Sequence, residues 1–202
     1  MRDFDYELKK FSFFNFANRY ALVLIAVIVI SFFLQFYRPY IIALILIPQL
    51  VPTQPWRLVT HIFLHGSFSH LFFNILFMLF FAPRLEEIIG SKKFLALFFL
   101  CGAIAGLGQS LAAPLIPSLG ASGALSGVLG CLAVLRPRTQ VLLYFVIPLR
   151  ITHMVVIFAA IDFISAVFLG NVSPIAHVAH LSGLFAGVLF GVWYKNSFNR
   201  YS

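Results

Sequence analysis

Charge is what this sequence has least of. Only 10% of its 202 residues are Asp, Glu, Lys or Arg, and just six of them are acidic. A soluble domain carries about a quarter. With 61% hydrophobic residues and a mean hydropathy of +0.99, this shortage excludes a soluble domain. The chain reads as a polytopic membrane protein with room for a single helical bundle. Cysteine is scarce too. Cys101 and Cys131 both lie inside apolar runs, which reads as two small core residues and not as a disulfide pair. There is no H-E-x-x-H. The histidine pairs His61/His65 and His177/His180 have helical ligand spacing, but with no carboxylate in sequence reach no metal is expected. Internal repeats and low-complexity tracts are missing. The opening MRDFDYELKKFSFFNFANRY is too charged and too aromatic for a cleavable signal peptide. It reads as a short cytoplasmic tail with an interfacial aromatic segment.

What is present is a series of apolar runs. A helix needs about 20 such residues to span a bilayer. The candidate spans are Tyr20–Phe36, Phe68–Phe81, Phe94–Ala113, Ala121–Leu135, Ile151–Leu169 and Ile175–Tyr194. The second and fourth look short, and helices starting on polar but buried residues would lengthen them. IIALILIPQL, Ile41 to Leu50, is interrupted by Pro48 and reads as interfacial or re-entrant. The basic residues test this. Six spans with the N-terminus inside leave only Arg38 and Arg57, of fourteen Lys and Arg, outside the cytoplasmic segments. A seventh span would destroy that asymmetry. The expected organisation is a cytoplasmic tail over 1–19, a membrane domain over 20–194 and a cytoplasmic tail over 195–202. The net charge of +8 follows from cytoplasmic retention of basic residues, not from nucleic-acid binding.

Polar groups inside a bilayer are expensive, so each is a functional candidate. They gather in three places, all toward the outer half. In HIFLHGSFSHLFFN, His70 and Asn74 are four apart and share a helix face, with His65 and His61 just before. Gly120-Ala121-Ser122-Gly123 opens a span. Its serine reads either as an N-cap or as a reactive group beside free helix N–H donors. In AHVAHLSGLFAGVLFG, His177 and His180 precede Gly183, Gly187 and Gly191. Gly123 and Gly127 have the same spacing, so the two helices can meet with their backbones nearly touching. That contact would bring Ser122 and His180 within hydrogen-bond reach, as nucleophile and base. No acid is expected to complete a triad. Asp162, alone in the fifth span, reads as structural. His70 and Asn74 are candidate oxyanion donors.

Taken together these pieces resemble the rhomboid intramembrane serine proteases. The matching residues are Trp56-Arg57, His65 with His70-x-x-x-Asn74, Gly120-Ala121-Ser122-Gly123, Ala179-His180-x-x-Gly183-x-x-x-Gly187, and Glu86 with Gly90. The resemblance implies an all-α bundle of six transmembrane helices with a membrane-associated first outer loop. It implies Ser122 as nucleophile, His180 as general base, and His70, Asn74 and the Ser122 N–H around the oxyanion. It implies a water-filled cavity open outward, a mobile fifth span that admits substrate, and no metal or other cofactor. The substrates it implies are single-span membrane proteins, met in membrane lipid and cut at or near the outer boundary. Some rhomboids carry an aromatic residue four after the nucleophile, packed on the catalytic imidazole; here that position is Ser126, read as a helix-packing residue. Relatives that have lost the dyad act in membrane-protein quality control, and the presence of both Ser122 and His180 argues against that alternative.

Overall fold

A computed structural model describes residues 20–143, 147–169, 173 and 175–198. The expected N-terminal tail, 1–19, lies outside these residues, as does the second half of the C-terminal one, 199–202. The described chain is mostly helical. Helices α1 (Tyr20–Leu34), α2 (Arg38–Leu44), α3 (Arg57–Thr60), α4 (Phe68–Ile89), α5 (Ser91–Ala112) and α6 (Ser122–Leu135) are followed by α7 (Ile151–Phe168) and α8 (His177–Phe198). Four of them, α4, α5, α7 and α8, are long and apolar enough to cross a membrane. Two more, α1 and α6, are apolar with 15 and 14 residues. The all-α expectation needs one correction. Gln140–Leu143 (β1) and Ile147–Arg150 (β2) pair antiparallel, with Gln140 opposite Arg150 and Leu143 opposite Ile147. The run QVLLYFVIPLR holds Val141, Tyr144, Phe145, Val146 and Ile147, all β-formers, a signal that its place between two spans obscured.

Local chemistry sets the helix ends. Ser67 caps α4, its Oγ accepting from the His70 N–H at 3.1 Å. That bond also starts the helix in the register that places His70. At the other end Gly90, at φ 82° and ψ 150°, makes the turn into α5. Only glycine enters that region without strain. Glu86, in the last turns of α4, reaches the start of α1 and accepts from the N–H groups of Tyr20 and Ala21 at 2.8 and 2.9 Å. A carboxylate on free helix N–H donors is favoured by charge and by hydrogen bonding. The Ile41–Leu50 run does not form a spanning helix. It breaks after Leu44 and resumes as a single 3₁₀ turn at Pro48–Leu50.

The centre of the molecule is the contact between α6 and α8. Ten residues of α6 are buried, among them Gly123, Gly127 and Gly130. A Cβ on Gly183 would overlap the Gly123 carbonyl, and one on Gly187 the Gly127 carbonyl. Only glycine at both facing rows allows so close an approach. The Cys101 side chain fills the space beside Gly127, and both cysteines are buried and free.

Candidate active site

The glycine contact puts the N-terminal ends of α6 and α8 side by side. Ser122 is the first residue of α6, and His180 lies in the first turn of α8. His180 Nε2 is 2.8 Å from Ser122 Oγ. The N-cap alternative for Ser122 is thereby overturned. The cap position is Ala121, no side chain caps the helix, and the hydroxyl turns to the imidazole of another helix. Ser126, one turn on, donates to the Ser122 carbonyl at 2.9 Å, as serine does inside helices.

The two side chains face a cavity of about 920 Å³, also lined by His70, Asn74, Gln109 and Asp162. His70 and Asn74 both point into it from one face of α4, as their spacing requires. One Asn74 Nδ2 hydrogen goes to the His70 carbonyl at 2.8 Å, which orients the amide. Gly120 stands between His70 and Ser122. Its φ is 124°, and a Cβ there would lie 2.8 Å from His70 Cε1 and 3.9 Å from Ser122 Oγ. Both backbone angle and crowding therefore demand glycine.

The segment between α1 and α4, expected to be the first outer loop, serves the site from behind. Arg57 is 4% exposed, and its Nη1 donates to the Ile42 and Ile45 carbonyls at 2.9 and 2.5 Å, its Nε to Gln54 at 2.6 Å. A guanidinium on the carbonyl end of a helix, here α2, satisfies groups the helix leaves open. Trp56 Nε1 adds a bond to the Ala43 carbonyl at 3.3 Å. Trp56 and Arg57 thus hold the loop's shape and do not line the cavity. The loop is tied to the segment before Ser122 by the paired bonds of Leu46 and Ser118 and by Gly120 N–H to the His61 carbonyl at 2.9 Å. His65 is fully buried, with its ring edge-on to His70 at 5.0 Å between centroids. Gln35, not singled out in the sequence, clamps the His65 backbone with bonds of 2.6 and 3.0 Å. Burial holds both His61 and His65 down to about 4, outweighing backbone contacts that favour the charged forms. Glu86 acts away from the cavity, at the α1 end already described.

One expectation fails. Asp162 of α7 does reach His180. Its Oδ1 lies 3.2 Å from His180 Nδ1 and 2.7 Å from His177 Nδ1. A carboxylate therefore stands beside the His177/His180 pair after all, and the ligand atoms of the three lie within 4.8 Å of one another. An ionised carboxylate only accepts, and contacts of this length to two imidazole nitrogens are those of hydrogen bonds, which account for the grouping. The signal for Asp162 was its isolation, since a lone acid in an apolar span must find a partner. Which partner depends on how α7 is turned, and no residue spacing states that.

Comparison with known proteins agrees with the geometry. Rhomboid protein 1, mitochondrial, of Saccharomyces cerevisiae is 38% identical over 139 residues, 65% of this chain and 39% of that protein. The putative rhomboid protease YdcA of Bacillus subtilis is 33% identical over 132 residues, 64% of each chain. The rhomboid protease GlpG of Haemophilus influenzae is 31% identical over 143 residues, 69% of each. The aligned part is thus under half of the yeast protein and about two thirds of the bacterial ones. The family model for the rhomboid domain matches residues 52–197, which takes in Trp56-Arg57, Ser122 and His180, and the chain belongs to the rhomboid family.

Proposed function

We propose that this protein is an intramembrane serine endopeptidase, cleaving single-span membrane proteins at or near the outer membrane boundary. The observation that carries the reading is the 2.8 Å contact between His180 Nε2 and Ser122 Oγ inside a cavity that also gathers His70, Asn74, Gln109 and Asp162. Ser122 Oγ attacks the scissile carbonyl carbon while His180 Nε2 takes its proton. The carbonyl oxygen becomes an oxyanion. The donors facing it are the His70 ring, the Asn74 amide and the Ser122 N–H, which belongs to the first turn of α6 and so to its positive end. His180 then gives the proton to the departing amine, and the peptide bond breaks to leave an ester on Ser122. Water, deprotonated by the same Nε2, hydrolyses the ester and restores the serine. No step calls for a metal or other cofactor.

The helix lengths support the depth of the cut. With 14 residues, α6 is about 21 Å long at about 1.5 Å per residue, less than the hydrocarbon core of about 30 Å. A helix that starts below the membrane surface needs water and protein around its polar end, and the cavity holds both Ser122 and His180. We read α1 and α6 as spans alongside the four longer helices, with both chain ends on the cytoplasmic side of a cell membrane.

The test is cleavage of a single-span reporter in proteoliposomes, with labelling by a fluorophosphonate. Ser122→Ala is expected to lose cleavage and labelling and to keep its thermal midpoint. Retained labelling in Ser122→Ala rejects Ser122 as nucleophile, and absent labelling of the unmodified protein rejects the serine mechanism.

A further inference from the structure

Asp162 is the only acid in α7. Its neighbours Ile161, Phe163 and Ile164 are all more than half exposed at the bundle surface. The carboxylate turns inward instead and meets two imidazoles of α8. A carboxylate, an imidazole and a hydroxyl thus lie in sequence across α7, α8 and α6, with contacts of 3.2 and 2.8 Å.

We infer that Asp162 is a positioning residue for His180 and converts the Ser122–His180 pair into a three-membered relay. The inference rests on the protease reading above. A neutral imidazole carries one proton, on either nitrogen, and an ionised carboxylate only accepts. Asp162 therefore draws the proton to Nδ1 and leaves the Nε2 lone pair facing the Ser122 hydroxyl. Without it the Nε2–H tautomer competes, and in that form Nε2 donates to the Ser122 oxygen and cannot take its proton. The carboxylate also steadies the imidazolium that forms once Nε2 has taken the serine proton.

The surrounding bonds agree with one assignment of protons. Ser173 Oγ accepts from the Ile175 N–H at 3.2 Å. Its own hydrogen is free for His177 Nε2, 2.9 Å away. The His177 proton then sits on Nδ1, where it is given to Asp162 Oδ1 at 2.7 Å. His177 and Ser173 so hold the carboxylate from the side opposite His180. Ser126 directs its hydroxyl to the Ser122 carbonyl and leaves the Nδ1 side of the imidazole to Asp162.

The test uses the full chain in detergent and in proteoliposomes. Asp162→Asn keeps the shape and a hydrogen bond but offers an amide N–H₂ to Nδ1. Its kcat is expected to fall about 10²- to 10⁴-fold with KM and thermal midpoint unchanged. The ¹⁵N spectrum of the His180 imidazole is expected to show the Nδ1–H tautomer in the unmodified protein and gain of the Nε2–H form in the variant. Asp162→Glu, which restores the charge, is expected to recover at least about tenfold over Asn. A kcat for Asp162→Asn within about threefold of the unmodified enzyme overturns the inference. So does a loss confined to KM, or one matched by a lower thermal midpoint that Glu does not repair. If the Asn variant fails to fold, the unmodified protein decides alone: an Nε2–H tautomer at His180 overturns the assignment. The protease reading is judged on the unmodified protein and Ser122→Ala, which leave Asp162 in place, so failure here is separable from failure of that reading.

Discussion

Ser122 and Asn74 are both small polar residues on helices, yet their side chains solve different problems. The Ser122 hydroxyl leaves its helix for an imidazole at 2.8 Å, while the Asn74 amide is steadied by the carbonyl one turn before it. Asn74 is 7% exposed, so the donor it offers the cavity is already desolvated and fixed. Fixed donors in such a site are worth about 3–4 kcal/mol at the transition state. Asn74→Ala is therefore expected to lower kcat/KM about 100- to 1000-fold while a small fluorophosphonate still labels Ser122. His70→Ala is expected to be at least as severe, because His70 also packs edge-on to His65 and against Gly120. Steady-state kinetics with labelling in parallel checks both. Cleavage at the unmodified rate by the two folded variants would remove them from the oxyanion site.

Helices place these residues, and the glycine rows of α6 and α8 set the distance between them. The decisive test is volume at the seam. A Cβ at Gly187 overlaps the Gly127 carbonyl, and backbone cannot move aside as a side chain does. Gly187→Val is expected to drive α6 and α8 apart, separate Ser122 from His180 and abolish cleavage. Overpacking of a close-packed interior costs about 1–3 kcal/mol and often more, so the thermal midpoint is expected to drop as well. Gly66→Ala is the control for stability. There a Cβ meets only Leu119 Cδ1, at 3.7 Å, and the midpoint is expected to stay put. Equal midpoints for the two variants would show that the seam is not close-packed.

The whole molecule is held by polar ties between distant parts of the chain. Arg57 closes α2, Glu86 closes α1, and Gln35 clamps His65. These ties bury His61 and His65 at 5% and 0% exposure, in a loop that keeps them neutral. Burial puts both at about 4, against an ordinary 6.5. As pH falls from 6.5 toward 4 the unfolded chain takes up protons that the folded loop refuses. Stability is therefore flat above the window and falls with acidification inside it. Thermal midpoints in detergent across that range check this. The upper part of the window, above ordinary carboxylate values, is the diagnostic one. A midpoint that holds or rises there would mean that these histidines charge freely in the folded protein.

Much of this protein follows from its residues taken in order. A shortage of charge in a long apolar chain leaves only a membrane bundle, because a helix satisfies its own backbone groups in lipid. Glycines every fourth residue in two runs predict a close seam, and a serine and a histidine at the outer ends of those runs predict their contact. Spacing within one helix is a local property, so the shared face of His70 and Asn74 was legible too. The rest depends on how elements are turned and crossed. Asp162 had to find a partner, but only the rotation of α7 against α8 chose His180 and His177. Gln35 and His65 are thirty residues apart, and only the return of the first outer loop onto the end of α1 joins them. The β1–β2 hairpin was hidden because a short β-prone run between two spans has no periodicity long enough to read. The N-cap reading of Ser122 failed for the same reason: propensity describes the helix alone, and here the neighbouring helix won the hydroxyl.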